Sequence, residues 1–306
     1  MKRKTRMTLK LSPLSNSLIM VMLALVLSNC QTKDFAKMFL VCGDSKVLMV
    51  DYHKSVESSA PHVIWTWDAQ QSEDLPEVYR TKRFNTMDDC KAIDGGKQWL
   101  VASSSGGVAL LDGKDRKVQF YATVPNAHSV ELLPGDRLVA AASTSSTGNK
   151  IMLFDIHQPE KLVFEDSLYS AHGVVWHKKK ERLYALGFNV LRAYKMPSPN
   201  ELVLEKEWKI PGEGGHDLQL APDGKHFLMT EHNGAWSFDI EEEKFEKLHD
   251  FPQAENIKSI GKISSGQFIF TVPEKSWWTH HVSFHEPARQ FAFPDMKVYK
   301  ARWVKQ

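Results

Sequence analysis

Ala127-His128-Ser129-Val130, Ala171-His172-Gly173-Val174 and Gly215-His216-Asp217-Leu218 are three copies of one phrase, with their histidines 44 and 44 residues apart. A short apolar alternation runs on from each copy into a turn: Pro134-Gly135-Asp136, Lys178-Lys179-Lys180-Glu181 and Pro222-Asp223-Gly224. Pro, Gly and Asp are turn formers because they preset φ, permit positive φ, or bond their own backbone. Second apolar runs begin at Arg137, Arg182 and His226, third runs at Ile151, Val190 and Ala235, and fourth runs at Leu162, Leu202 and Phe245. Four short strands per ~42 residues is the repeat of a β-propeller blade. No stretch sustains a 3.6-residue period, so helix is expected to be scarce.

The repeat extends both ways. Cys90-Lys91-Ala92-Ile93 opens a unit before the histidine units, and Ile257-Lys258-Ser259-Ile260 opens one after them. Residues 38–68 hold only three strands, and Val298–Val304 is one strand left over. The leftover strand is expected to supply the inner strand of the first blade, which joins the chain ends and removes a long open edge. The expectation is an all-β, six-bladed propeller forming a single domain over residues 31–306. A seventh blade would need more chain than is left at this period.

Composition narrows the class. Of 306 residues, 42 % are hydrophobic and 25 % charged, which excludes a disordered chain, a collagen and a multi-span membrane protein. Three cysteines exclude a disulfide scaffold. The N-terminus carries Lys2, Arg3, Lys4, Arg6 and Lys10 without an acid, then an apolar run from Leu18 to Leu27. That run is too short to span a bilayer as a helix and reads as an export signal over residues 1–30. Leu27-Ser28-Asn29-Cys30 resembles a bacterial lipobox, which makes Cys30 the expected lipidation site and a lipid anchor the only expected membrane contact. The expected location is the periplasm or cell surface of a Gram-negative bacterium. Removing the signal leaves 34 basic against 37 acidic residues, so no broad nucleic-acid footprint is expected. Cys42 and Cys90 are expected to be buried thiols.

Equivalent residues of a propeller ring the central axis. Aligned by spacing alone, the anchors of the six inner strands are Lys91, His128, His172, His216, Lys258 and Lys300, at intervals of 37, 44, 44, 42 and 42. Three histidines and three lysines at one mouth form a site for an anion, because charged lysines repel one another until an anion joins them. A slip of one residue would turn an anchor to the other face. The alternative use of His128, His172 and His216 is a ligand triad for one divalent metal ion; oligogalacturonate lyases are similar at this level, as propellers with a histidine-bound metal. The nearby lysines and the lack of a carboxylate ligand weigh against it, so no cofactor is expected.

Ser276-Trp277-Trp278-Thr279-His280-His281 sits between two strands of the last blade. Paired indoles in a loop offer faces to sugar C–H groups, so Trp277, Trp278, His280 and His281 join the candidate ligand-binding residues; packing between blades is the competing use. Trp65 and Trp67 read as packing. The carboxylates Asp88, Asp89, Glu131, Asp217, Glu231, Glu255 and Glu274 lie near strand ends, but nothing in the spacing pairs two of them across a glycosidic bond.

These phrases, with Ser104-Ser105-Gly106-Gly107-Val108-Ala109-Leu110 and Ser170-Ala171-His172-Gly173-Val174-Val175-Trp176, resemble an uncharacterised family of six-bladed propeller lipoproteins from Gram-negative, glycan-degrading bacteria. The resemblance spans about Phe39 to Trp303. It implies the fold and raises a carbohydrate ligand, and it carries over no residue role. The expected function is binding of an anionic small molecule or oligosaccharide, as a monomer. A polysaccharide lyase using His and Lys, with or without a metal, is the first alternative, and a protein-interaction scaffold the second. Whether the chain is an enzyme stays open at this point.

Overall fold

The structure is a computed structural model, and it describes residues 37–304. Cys30 and the expected export signal over residues 1–30 lie outside the described residues. Six four-stranded antiparallel sheets form the blades. The first is ordered β24 (Val298–Trp303), β1 (Met38–Gly43), β2 (Lys46–Asp51), β3 (His62–Asp68). The others follow in chain order from their inner strands: β4 (Met87–Ile93), β8 (Ala127–Leu133), β12 (Gly173–His177), β16 (Asp217–Leu220) and β20 (Ser259–Lys262).

The C-terminal strand closes the first blade as expected, with Phe39 opposite Trp303 and Val41 opposite Ala301. Gly43 is required at this seam, since a Cβ there would sit 2.0 Å from the Lys297 carbonyl oxygen. Alternating inward residues on neighbouring sheets meet in apolar wedges between blades. Cys42 and Cys90 lie in the wedge between the first and second blades, buried and free, beside Phe84, Trp99 and Trp67. Trp65 packs edge-on against Trp99 at 5.1 Å.

Helix is scarce, and the short helical insertions between β2 and β4 gave no periodic signal. Helix α1 (Tyr52–Ser58) links β2 to β3, capped by Asp51 Oδ1, which accepts from Lys54 N at 3.0 Å. Seven residues are too few to display a 3.6-residue pattern. No helix among the described residues is long and apolar enough to cross a membrane.

Candidate functional site

Backbone pairing sets the true alignment of the inner strands. Asp89, Ser129, Gly173, Asp217, Ser259 and Lys300 stand opposite Ala102, Ala141, Leu186, Thr230, Thr271 and Cys42, the equivalent positions of the second strands. The residue before each of these is therefore the mouth residue: Asp88, His128, His172, His216, Lys258 and Tyr299. Two kinds of backbone aim them. Asp88, His128 and Tyr299 are unpaired residues at β-bulges, a device that redirects a side chain. His172, His216 and Lys258 instead donate their N–H groups to the carbonyls of Leu186, Thr230 and Thr271, each at 2.9 Å.

A local turn helps four of the six. Asn126, Ser170, Gly214 and Asn256, each two residues before a mouth residue, have φ of 50°, 51°, 70° and 56°. Asn and Gly enter this left-handed region at least cost. The turn also fixes two imidazoles. His128 Nδ1 donates to Asn126 O at 2.9 Å, and His172 Nδ1 donates to Ser170 O at 2.8 Å. Their Nε2 atoms are then lone-pair acceptors.

The three histidines converge. Ring centroids are 4.3 Å apart for His128 and His172 and 5.7 Å for His172 and His216. Lys258 Nζ donates to His216 Nε2 at 2.9 Å. Asp88 Oδ1 lies 3.8 Å from His128 Nε2, and the Tyr299 ring lies 5.8 Å from that imidazole.

The other two lysines of the expected ring lie elsewhere. Lys300 is one level deeper and fully buried. Its Nζ donates to His128 O at 3.2 Å, His216 O at 3.3 Å and Asp217 Oδ1 at 3.3 Å, so it forms the floor of the mouth. Lys91 is near the far end of the channel, bonded to Val174 O at 2.7 Å and paired with Glu131 at 3.3 Å. Equal spacing misplaced both because a spacing count does not register bulges. Between the two ends Arg302 bridges Asp89 and Asp217, all of them buried, and this network plugs the channel. Beyond it a cavity of ≈ 160 Å³ opens at the far mouth, lined by Lys91, Glu131, Trp176, Gln219 and Arg302.

Burial governs the charge state of the mouth. It pushes His128 down to about 4, and the Lys300 and Lys258 charges push the same way. Burial and the adjacent imidazoles hold His172 well below its ordinary range. His216 is also far down, through burial and then Lys258. Burial followed by the Lys300 charge lowers Lys258 to about 8. Burial raises Asp88 to about 7 against its hydrogen bonds from Ser104. Tyr299 is held well above its usual value by burial and nearby carboxylates. Asp89 resists burial because Arg302, Lys91 and Lys300 hold it ionised. At neutral pH the mouth thus has three neutral imidazoles, a phenol, one ammonium and the Asp88 carboxyl near its midpoint.

That ammonium is isolated. Lys258 is 8 % exposed, and no carboxylate among the described residues pairs with it. Metal ligation fits the site poorly. Lys258 occupies the His216 Nε2 lone pair, and among the described residues no three His, Cys, Asp or Glu side chains are set to hold a metal ion.

The tryptophan loop reaches the same face without entering the ring. Thr279 N donates to Val298 O at 3.0 Å, beside Tyr299. Trp277 is 53 % exposed, while Trp278 has Lys275 and Lys297 each 5.6 Å from its ring centroid and His280 against it at 4.9 Å. His280 Nδ1 donates to Met296 O at 3.0 Å, and His281 Nδ1 lies 2.6 Å from Glu274.

Residues 9–306 match the model of a family of unknown function, DUF6528. The chain belongs to this family. No curated protein matches the DUF6528 chain. Among solved structures, the β-propeller domain of Cps50 (Swd1) from Myceliophteria thermophila is similar, with a TM-score of 0.49 at 12 % identity, covering 77 % of this chain and 90 % of that one.

Proposed function

We propose that this protein is a ligand-binding propeller whose mouth takes an acidic, hydroxyl-rich small molecule, a uronate-type sugar or its oligomer. The isolated Lys258 ammonium carries the reading. Burying a cation without a counter-ion costs roughly several kcal/mol, and a carboxylate entering beside it relieves that cost. The neutral imidazoles suit the rest of such a ligand. His172 Nε2 accepts but has no hydrogen-bond partner among the described residues, and a ligand hydroxyl is the donor it lacks. An inorganic anion without a hydroxyl, such as sulfate, would leave that acceptor unmatched.

Calorimetric titration with galacturonate beside uncharged galactose tests the reading. Heat from galacturonate alone at pH 7, fading above pH 8 as Lys258 deprotonates, supports it. Equal affinity for both sugars, or heat from neither, contradicts it.

A second reading rests on Tyr299 and His128 standing in the same ring as Lys258. In β-elimination from a uronate, Lys258 would neutralise the carboxylate, a neutral imidazole would take the proton from the adjacent carbon, and the Tyr299 hydroxyl would protonate the departing oxygen as the C–O bond breaks. Ultraviolet absorbance from an unsaturated product with galacturonate oligomers supports this reading, and binding without such a product removes it. Export and lipid attachment through Cys30 remain part of the proposal; incorporation of labelled fatty acid, lost in Cys30→Ser, tests them.

A further inference from the structure

A continuous line of rings runs from the open surface into the mouth. Tyr169, 61 % exposed, lies 5.5 Å from Phe188; Phe188 lies 6.1 Å from His232; His232 lies 5.2 Å from His216. The rings come from three loops, and backbone bonds tie those loops edge to edge, in part through the intervening segment 213–215. Phe188 N donates to Tyr169 O at 2.9 Å, Gly215 N to Phe188 O at 3.0 Å, His232 N to Glu213 O at 3.1 Å, and Asn256 N to His232 O at 2.7 Å. Gly214 fits under the His232 ring only because it lacks a side chain, since a Cβ would lie 2.0 Å from Nε2. The line is held before any ligand arrives, so little ordering entropy is lost on binding.

Tyr169, at the outer end of this line, meets Phe188 on one side and leaves most of its ring open to solvent. Aromatic faces carry partial negative charge and meet the positively polarised C–H faces of sugars. Each ring-to-ring step is comparable to the width of one sugar ring. We infer that Tyr169, Phe188 and His232 form an outer binding platform that makes the site selective for an oligosaccharide over a single sugar, with the terminal acidic unit at Lys258. This inference rests on the proposed function above.

The test is titration of galacturonate and tetragalacturonate into the wild-type chain and the Tyr169→Ala variant. Tyr169 is exposed, so the variant is expected to fold as the wild type does. The expected result is binding of the tetramer about tenfold tighter than the monomer, equal to about 1.4 kcal/mol, with that gain lost in Tyr169→Ala while monomer affinity stays unchanged. A tetramer bound no tighter than the monomer overturns the platform and leaves the Lys258 site standing. So does a Tyr169→Ala variant that keeps the full gain. Failure of both ligands to bind the wild-type chain overturns the site and the platform together.

Discussion

Lys258 Nζ lies 2.9 Å from His216 Nε2, an ammonium hydrogen-bonded to an uncharged imidazole. Two consequences follow from electrostatics. The pair needs His216 neutral, which its depressed pKa provides. It also leaves the positive charge without a carboxylate in ion-pair contact among the described residues, and an anion is its natural complement.

The folded chain should resist protonation of Lys258. Its folded value, about 8, is below the ~10.4 of an unfolded lysine. Between these values the unfolded chain binds the extra proton, so stability rises with pH through that window. Lys258→Met should remove this slope and leave the melting temperature at pH 7 unchanged or higher, because an unpaired buried charge is gone. Urea unfolding of both chains from pH 7 to 10 reads the difference, and a steep loss of stability at pH 7 in the variant would contradict it.

The mouth imidazoles act at the acid end. His128 titrates near 4 when folded and near 6.5 when unfolded, so its contribution is complete above pH 6.5 and is lost as pH falls toward 4. His128→Gln should flatten the acid limb by roughly 1.4 kcal/mol per pH unit. Parallel acid limbs in the two chains would show that the imidazole is not held neutral.

Asp88, raised to about 7, should weaken ligand binding as pH rises, in the same sense as Lys258 but over a lower range. Once ionised, it repels an incoming carboxylate. Asp88→Asn is expected to abolish the fall in galacturonate affinity between pH 6 and 8 and to keep the fall above pH 8. An unchanged profile would place Asp88 outside the reach of the ligand.

Arg302 holds two buried carboxylates, Asp89 and Asp217. Arg302→Met leaves both without their shared cation and should cost about 3–5 kcal/mol. The triple change Arg302→Met, Asp89→Asn, Asp217→Asn should recover much of that loss. Thermal melts of the three chains decide it, and a triple variant no better than the single one would contradict the network's role.

Much of the fold was legible because the blade repeat is a hydrophobic alternation with turns at set intervals. The strand at Val298–Trp303 announced closure because it had no partners of its own. The histidine convergence was legible too, since His128, His172 and His216 share one phrase. Asp88 and Tyr299 were missed, and Lys91 and Lys300 were set in their places. A bulge inserts an unpaired residue, and spacing cannot distinguish it from a longer loop. A clue did exist at four positions. Asn126, Ser170, Gly214 and Asn256 precede the mouth residue by two and supply positive φ; Lys91 and Lys300 have no such turn before them. Tyr169 and Phe188 carried no signal, because their contact joins loops 19 residues apart in sequence.

The central claim is that Lys258 receives the carboxylate of an acidic ligand. Calorimetric titration of galacturonate into the wild-type chain and Lys258→Met at pH 7 tests it most directly. The account predicts saturable binding to the wild type and at least a tenfold loss in the variant, with the fold intact by melting. Equal affinity in the two chains would contradict it.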